Sequence, residues 1–198
     1  MISSLKGRLD FIGEGYAVID VQGVGYQVRM TAPGLHRIRS AEGPVRLFTR
    51  LAVKEDELVL YGFFRQSELE VFQMLISVTR VGPVLALSIL SQISLPEFVA
   101  AILDEDEKIL TSISGIGQKN ARRLILELKD KLQKRAGEFR GEMPVGYDPV
   151  RKDAVSALVA LGFSQKESAA AVGKVMEGSE HAPVSAVIKA ALGELREK

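Results

Sequence analysis

Ser114-Gly115-Ile116-Gly117-Gln118-Lys119-Asn120-Ala121 is the stretch on which the reading of this chain turns. Thirty-five positions upstream stands its counterpart: Val81-Gly82-Pro83, then Ala86 and Ile89, share the register of Ile116-Gly117-Gln118, then Ala121 and Leu124. Leu75 and Val78 likewise align with Leu110 and Ile113, so each copy reads as an apolar helical turn, a glycine-centred hairpin and a second helix. One glycine of the second copy supplies the positive φ that a tight hairpin demands. The other, lacking Cβ, lets backbone N–H groups come close to a ligand oxygen at a helix N-terminus. The pattern predicts an anion there.

Charge points to the kind of anion. Lys108, Lys119, Arg122, Arg123, Lys129, Lys131, Lys134 and Arg135 face only Glu127 and Asp130 within residues 108–135, a local charge of +6 in a chain whose net charge is +1. Helical spacing puts Lys119, Arg122 and Arg123 in the first turns after the hairpin, where they reinforce the backbone donors. Such a site holds a phosphodiester backbone without reading bases, and its affinity falls steeply with salt. This is the helix-hairpin-helix signature, and two tandem copies suit the two backbones of a duplex. A dinucleotide fingerprint fits poorly, since Ala121 lies beyond the place of the third glycine and no strand precedes the motif. A Walker A loop is excluded as well, for the upstream glycine is missing and Asn120 replaces the hydroxyl residue.

The 198 residues, 46% apolar and 26% charged, belong to a globular protein with room for one large or two to three small domains. Cysteine is absent, which excludes disulfides, thiol catalysis and cysteine-held metal, and suggests the cytosol. No apolar run is long enough for secretion or membrane spanning. His36 and His181 stand apart from any ligand-spacing motif, so no metal or cofactor is expected, and both read as surface or helix-end residues.

Residues 1–63 read as five short strands, Leu5 to Ile12, Tyr16 to Val21, Tyr26 to Thr31, Val45 to Val53 and Leu58 to Phe63. They are cut by Gly13-Glu14-Gly15, Gly23-Val24-Gly25 and Pro44. A small closed barrel of the OB type fits, with an SH3-like barrel as the alternative that strand count leaves open. Residues 64–135 switch to helical periodicity: Leu69, Phe72, Leu75 and Ile76 share a face, Ser94-Leu95-Pro96-Glu97 is a capping box, and Leu124, Ile125, Leu128 and Leu132 are spaced for burial. Gly137, Gly141, Pro144, Gly146 and Pro149 mark 136–149 as a linker. Residues 150–198 then read as a three-helix bundle. Ala154, Leu158 and Leu161 face its core, Gly162 and Ser164-x-x-Glu167 mark the next helix boundaries, and Phe163 either anchors a partner or completes the core. The fold class is thus multi-domain α+β: an OB-type barrel, an all-α tandem helix-hairpin-helix domain, and a three-helix bundle.

Lys54-Glu55-Asp56-Glu57 carries the wrong sign for a phosphate binder. Carboxylates near DNA weaken binding unless repulsion there keeps strands apart. Taken together, Gly23-Val24-Gly25-Tyr26, the Glu55-Asp56 turn before Leu60-Tyr61-Gly62-Phe63, the run Val81-Gly82-Pro83 to Ser91, the Gly115-Ile116-Gly117 hairpin and Ala157 to Phe163 resemble, over essentially the whole chain, the RuvA family of Holliday junction branch-migration subunits.

The resemblance implies a DNA-binding subunit that is not itself an enzyme and works in recombination, repair and the SOS response. It implies a four-fold homotetramer, with two tetramers face to face as a further assembly, that holds four-way junction DNA open and square. A RuvB-type AAA+ ATPase is the implied partner through the C-terminal domain, with the junction resolvase RuvC as another. Glu55 and Asp56 resemble the family's acidic pin. Gly82 and Pro83 match the first phosphate-binding hairpin, and Gly115, Gly117, Lys119 and Arg123 the second. Leu158, Leu161, Phe163 and Leu192 match apolar positions that dock the motor. Three departures stand out: Arg80 where glycine is usual, Val84 where lysine is common, and Gln118 where another base is frequent. A non-glycine residue at positive φ costs on the order of 1 kcal/mol, so the first hairpin is expected to take a different turn. Arg80 and Arg122 are expected to restore the cations that Val84 and Gln118 withdraw. Two other readings compete. A helix-hairpin-helix glycosylase or lyase would use Lys119 or Asp130. A general single-strand binder would need stacking aromatics on the barrel, in a chain whose aromatics total 6%.

Overall fold

Alternation along β4 (Val45–Val53) buries Val45, Leu47 and Thr49 and turns Arg46, Phe48 and Arg50 outward, as a strand with one face on a core must. The structure, a computed structural model, describes residues 1–53, 57–135, 149–176 and 183–196. With β1 (Ser4–Gly13), β2 (Tyr16–Val21), β3 (Val24–Arg29) and β5 (Leu58–Phe63), this strand closes a barrel in the order β1-β2-β3-β5-β4. β1 pairs antiparallel with β2 and β4, while β3 runs parallel to β5 at Val28↔Leu60 and Arg29↔Tyr61. That connectivity is the OB-type barrel and settles the choice against the SH3-like one. β3 starts earlier than the glycines suggest, because the turn is Gln22-Gly23 alone. Both residues have positive φ (53° and 87°), as a two-residue type I′ hairpin requires, and Gly23 N–H donates to Asp20 Oδ1 at 2.8 Å.

Helix α1 (Ala32–Arg39) lies between β3 and β4 and leaves no periodic trace, since Pro33 and Gly34 read as turn residues. Thr31 caps it by accepting from Gly34 N–H at 3.2 Å, and Pro33 falls in the first turn, where a missing N–H loses nothing. Ile38, fully buried, joins Leu5, Ile19, Val28, Leu47 and Leu60 in the barrel core. His36 is exposed in the last turn of α1, and His181 lies outside the described residues.

β5 is buried from Val59 to Phe63, with no alternation, because both its faces are covered. Leu60 points into the barrel, while Val59, Tyr61 and Phe63 belong to the core of the helices that follow. The rings of Tyr61 and Phe63 flank Phe72 of α2 (Gln66–Ile76) with centroids 5.1 and 5.0 Å away. The same core takes in α3 (Pro83–Gln92), α4 (Leu95–Leu103), α5 (Glu107–Ser112) and α6 (Gln118–Lys134). Ala121, Leu124, Ile125, Leu128 and Leu132 form the buried stripe of α6, as their spacing predicts. The capping box forms at α4: Ser94 Oγ accepts from Glu97 N–H, and Glu97 Oε2 accepts from Ser94 N–H at 3.2 Å and from its hydroxyl at 2.6 Å. Those bonds hold the Glu97 carboxyl below the usual carboxylate range.

The chain divides into two compact units, Met1–Pro144 and Val145–Lys198. In the second, α7 (Pro149–Ala160), α8 (Gln165–Met176) and α9 (Val184–Arg196) pack around Leu158, Val172, Val187 and Ala191. Pro149, read as linker, opens α7 instead, and residues 136–148 lie outside the described residues. Gly162 has φ +101° in the turn that follows α7, and Ser164 and Glu167 make reciprocal bonds at the start of α8.

Candidate nucleic-acid interface

The two hairpins match closely along the backbone up to their N-caps; past them, Asn120 N–H donates to Gly117 O at 2.9 Å and Pro83 stands where the second copy has Gln118. Gly82 is the N-cap of α3 at φ −84°, ψ 169°, and Gly117 the N-cap of α6 at φ −85°, ψ 170°. Val81 N–H donates to Val78 O and Ile116 N–H to Ile113 O, both at 3.0 Å; Ala86 to Gly82 O and Ala121 to Gly117 O repeat the match at 3.0 Å. Every paired apolar residue, from Leu75 and Leu110 to Ile89 and Leu124, is buried. The expected difference in turn type is therefore corrected: Arg80 takes the left-handed conformation itself at φ +70°, where Gly115 has +90°. Burial of Val78 and Val81 on either side outweighs the local strain, so packing fixes the turn and the side chain tolerates it.

Neither helix closes its N-terminus with a side chain, whereas α1, α4 and α5 do so with Thr31, Ser94 and Asp106. Glycine at the N-cap offers no acceptor, leaving the N–H groups of Val84 and Leu85, and of Gln118 and Lys119, without one among the described residues. A Cβ built on Gly82 or Gly117 would meet no atom within 4 Å, so the approach to these donors is open. Two uncapped helix N-termini with free amides and open space have the chemistry to receive an anion each.

The hairpins also hold each other. Gln92 at the end of α3 accepts from Ser114 N–H at 2.9 Å, and Arg123 of α6 reaches back to the Thr79 carbonyl at 3.4 Å. Arg123 is thus half-buried between the two loops. Arg80 and Lys119 are exposed and form no ion pair among the described residues.

The local +6 is smaller in space than in sequence, because acids outside 108–135 neutralise part of it. Arg122 Nε donates to both carboxylate oxygens of Glu107 at 3.0 and 3.1 Å, Lys129 pairs with Glu105, and Arg135 reaches Glu70 at 2.9 Å. Lys131 donates to Ser77 Oγ at 2.9 Å. Arg122, expected at phosphate, is turned toward α5. The Lys129 bond and charge lower the Glu105 carboxyl below its ordinary value.

Other expected site residues separate. Glu55 and Asp56 lie outside the described residues, flanked by the exposed Val53 and Leu58. In the C-terminal unit, Leu158 is fully buried and unavailable to a partner, whereas Leu161, expected in the core, is 62% exposed. The reason is local: α7 ends at Ala160, and Leu161 sits in the turn leading to Gly162. Phe163 and Leu192 are half-buried against the core, so each contributes to packing and keeps an accessible edge.

Comparison with known proteins agrees with this geometry. Residues 1–62 match the family model described as RuvA N terminal domain, 72–130 the SAM-like helix-hairpin-helix tandem, and 149–196 the RuvA C-terminal domain. The chain is 39% identical to a protein of Symbiobacterium thermophilum over 98% of both chains, and 39% identical to one of Acetivibrio thermocellus over 97% of both. It is 38% identical to one of Corynebacterium aurimucosum over the full length of both. All three relatives are named Holliday junction branch migration complex subunit RuvA.

Proposed function

Since this chain belongs to the RuvA family, we propose that it binds four-way DNA junctions through their sugar-phosphate backbones, whatever their sequence, and holds them open and square for branch migration. The observation that carries this reading is the pair of matching, uncapped hairpins: two anion cradles in one domain suit the two rails of a duplex arm. The backbone at Gly82, Pro83, Gly115 and Gly117 forms the cradles, with Arg80, Lys119 and Arg123 as the cations nearest them. Arg122 stands one turn further on, held by Glu107, and its share is the smallest.

Four copies around a junction would place one hairpin pair on each arm, with Glu55 and Asp56 at the crossover repelling phosphates as strands exchange. Two such tetramers face to face would enclose the DNA. The chain supplies grip and geometry and performs no bond chemistry; ATP hydrolysis belongs to a RuvB-type AAA+ ring recruited by the C-terminal unit, and RuvC acts on the same junction. The exposed Leu161, with the accessible edges of Phe163 and Leu192, is the docking surface, and Leu158 supports it from beneath. This work belongs in the cytoplasm, a placement in keeping with the absence of cysteine; no single described helix is long and apolar enough to cross a membrane.

Fluorescence anisotropy with a labelled four-way junction and a linear duplex of the same sequence tests the reading. The junction should bind at least tenfold more tightly, with a steep fall in affinity as salt rises. Equal affinity for the two, or incision of a damaged duplex by the protein alone, would overturn it.

A further inference from the structure

The first hairpin lacks a cation where the second has Lys119. Val84 stands there, 64% exposed, and α3 carries no ionisable side chain. Val84 nevertheless borders a groove of about 320 Å3 whose opposite wall is the barrel. Arg29 and Tyr61 line it from the strands, Gly15 from the turn between β1 and β2, and Val84 and Ser88 from α3. Arg29 is the one charged side chain on this groove, and no acid lines it. Pairing of β3 with both neighbours, Arg29 opposite Tyr16 on one side and Tyr61 on the other, fixes where its side chain starts. The side chain is exposed and makes no ion pair or side-chain hydrogen bond among the described residues.

An arginine with no counter-charge, beside a helix whose first amides have no acceptor, is half of an anion site. The geometry points to Arg29 of the barrel as the cation of the first hairpin: a DNA phosphate lies between its guanidinium and the amides of Val84 and Leu85. This rests on the junction-binding reading above and adds to it a residue from another element. The guanidinium fork engages two phosphate oxygens at once, which a lysine on the helix does not. The two hairpins then differ in kind. The second carries its charge on its own helix, whereas the first borrows it from the strand opposite, so its hold on DNA joins the barrel to the helices.

Anisotropy with the four-way junction over a salt series, using Arg29→Gln, Val84→Lys and the double variant, tests this. Arg29→Gln should weaken binding at least tenfold and reduce the salt slope by about one for each copy on the junction, as loss of one phosphate contact per copy does. Val84→Lys in the Arg29→Gln background should recover most of both, since it returns a cation to the same groove. An Arg29→Gln variant with unchanged affinity and slope overturns the inference, as does a loss that Val84→Lys fails to recover. A parent protein that shows no preference for the junction would instead defeat the functional reading, and this inference with it.

Discussion

The two hairpins share a backbone and differ in almost everything attached to it. Their N-cap torsions agree within a degree and their bond lengths match, yet the first has arginine at the left-handed position and a helix without charge, while the second has glycine there and a helix rich in base. What persists is the buried set, Leu75, Val78, Val81, Ala86 and Ile89 against Leu110, Ile113, Ile116, Ala121 and Leu124. Packing therefore dictates the shape of the cradle. Charge around it is free to come from wherever a cation can reach.

The strongest way to break the comparison is to close the cradles from within. Aspartate at an N-cap accepts from amides two or three residues on and stabilises a helix over glycine by a few tenths of a kcal/mol. Gly82 and Gly117 have open space for it and torsions that any residue adopts. Gly117→Asp should lower junction affinity about a hundredfold, through lost donors and a carboxylate at the proposed phosphate position, with no loss of thermal stability. Gly82→Asp should do the same to a lesser degree, because its helix contributes no cation. A fall in Tm alongside the loss of binding would mean that the glycines serve folding, and the cradle argument would fail.

A smaller effect sharpens the contrast at the left-handed position. Arg80→Gly removes a conformational cost of about 1–2 kcal/mol but loosens the unfolded chain, for a net gain of about 0.5 kcal/mol in urea denaturation. Junction affinity should fall about threefold as an unpaired cation is lost. Stability that falls instead would show that the Arg80 side chain packs usefully where it is.

Much of this was legible in the residues, and the exceptions share a cause. Periodicity located the barrel strands, the capping boxes and the buried stripe of α6, because each is decided by neighbours close in sequence. Helix α1 escaped because its proline and glycine serve a first turn that only Thr31 and the barrel end make stable. The pairing of Arg122 escaped because Glu107, which holds it, falls one residue short of the stretch over which charge was counted. Arg29 gave no signal at all: nothing in its strand shows that α3 lies across a groove from it. Long-range juxtaposition was the missing information each time.

The smallest predicted effect concerns what stands behind the hairpins. α5 and α6 are tied by Glu107–Arg122 and by Glu105, in the preceding turn, with Lys129, whereas α3 has no ionisable side chain with which to answer α2. Glu105 has φ +56° just beyond α4, and the Lys129 bond holds its carboxyl below the ordinary value of 4.5. A carboxylate lowered by folding binds fewer protons in the native chain than in the unfolded one. Its stabilising share is therefore complete above about 4.5 and is lost as pH falls through the folded value. The pair is exposed, so the share is slight. Urea midpoints of the parent and of Glu105→Gln should differ a little at neutral pH and converge well below pH 4.5. A gap that persisted in acid would assign the effect to the side chain's packing at that turn, and with it the brace behind the second hairpin would lose its electrostatic origin.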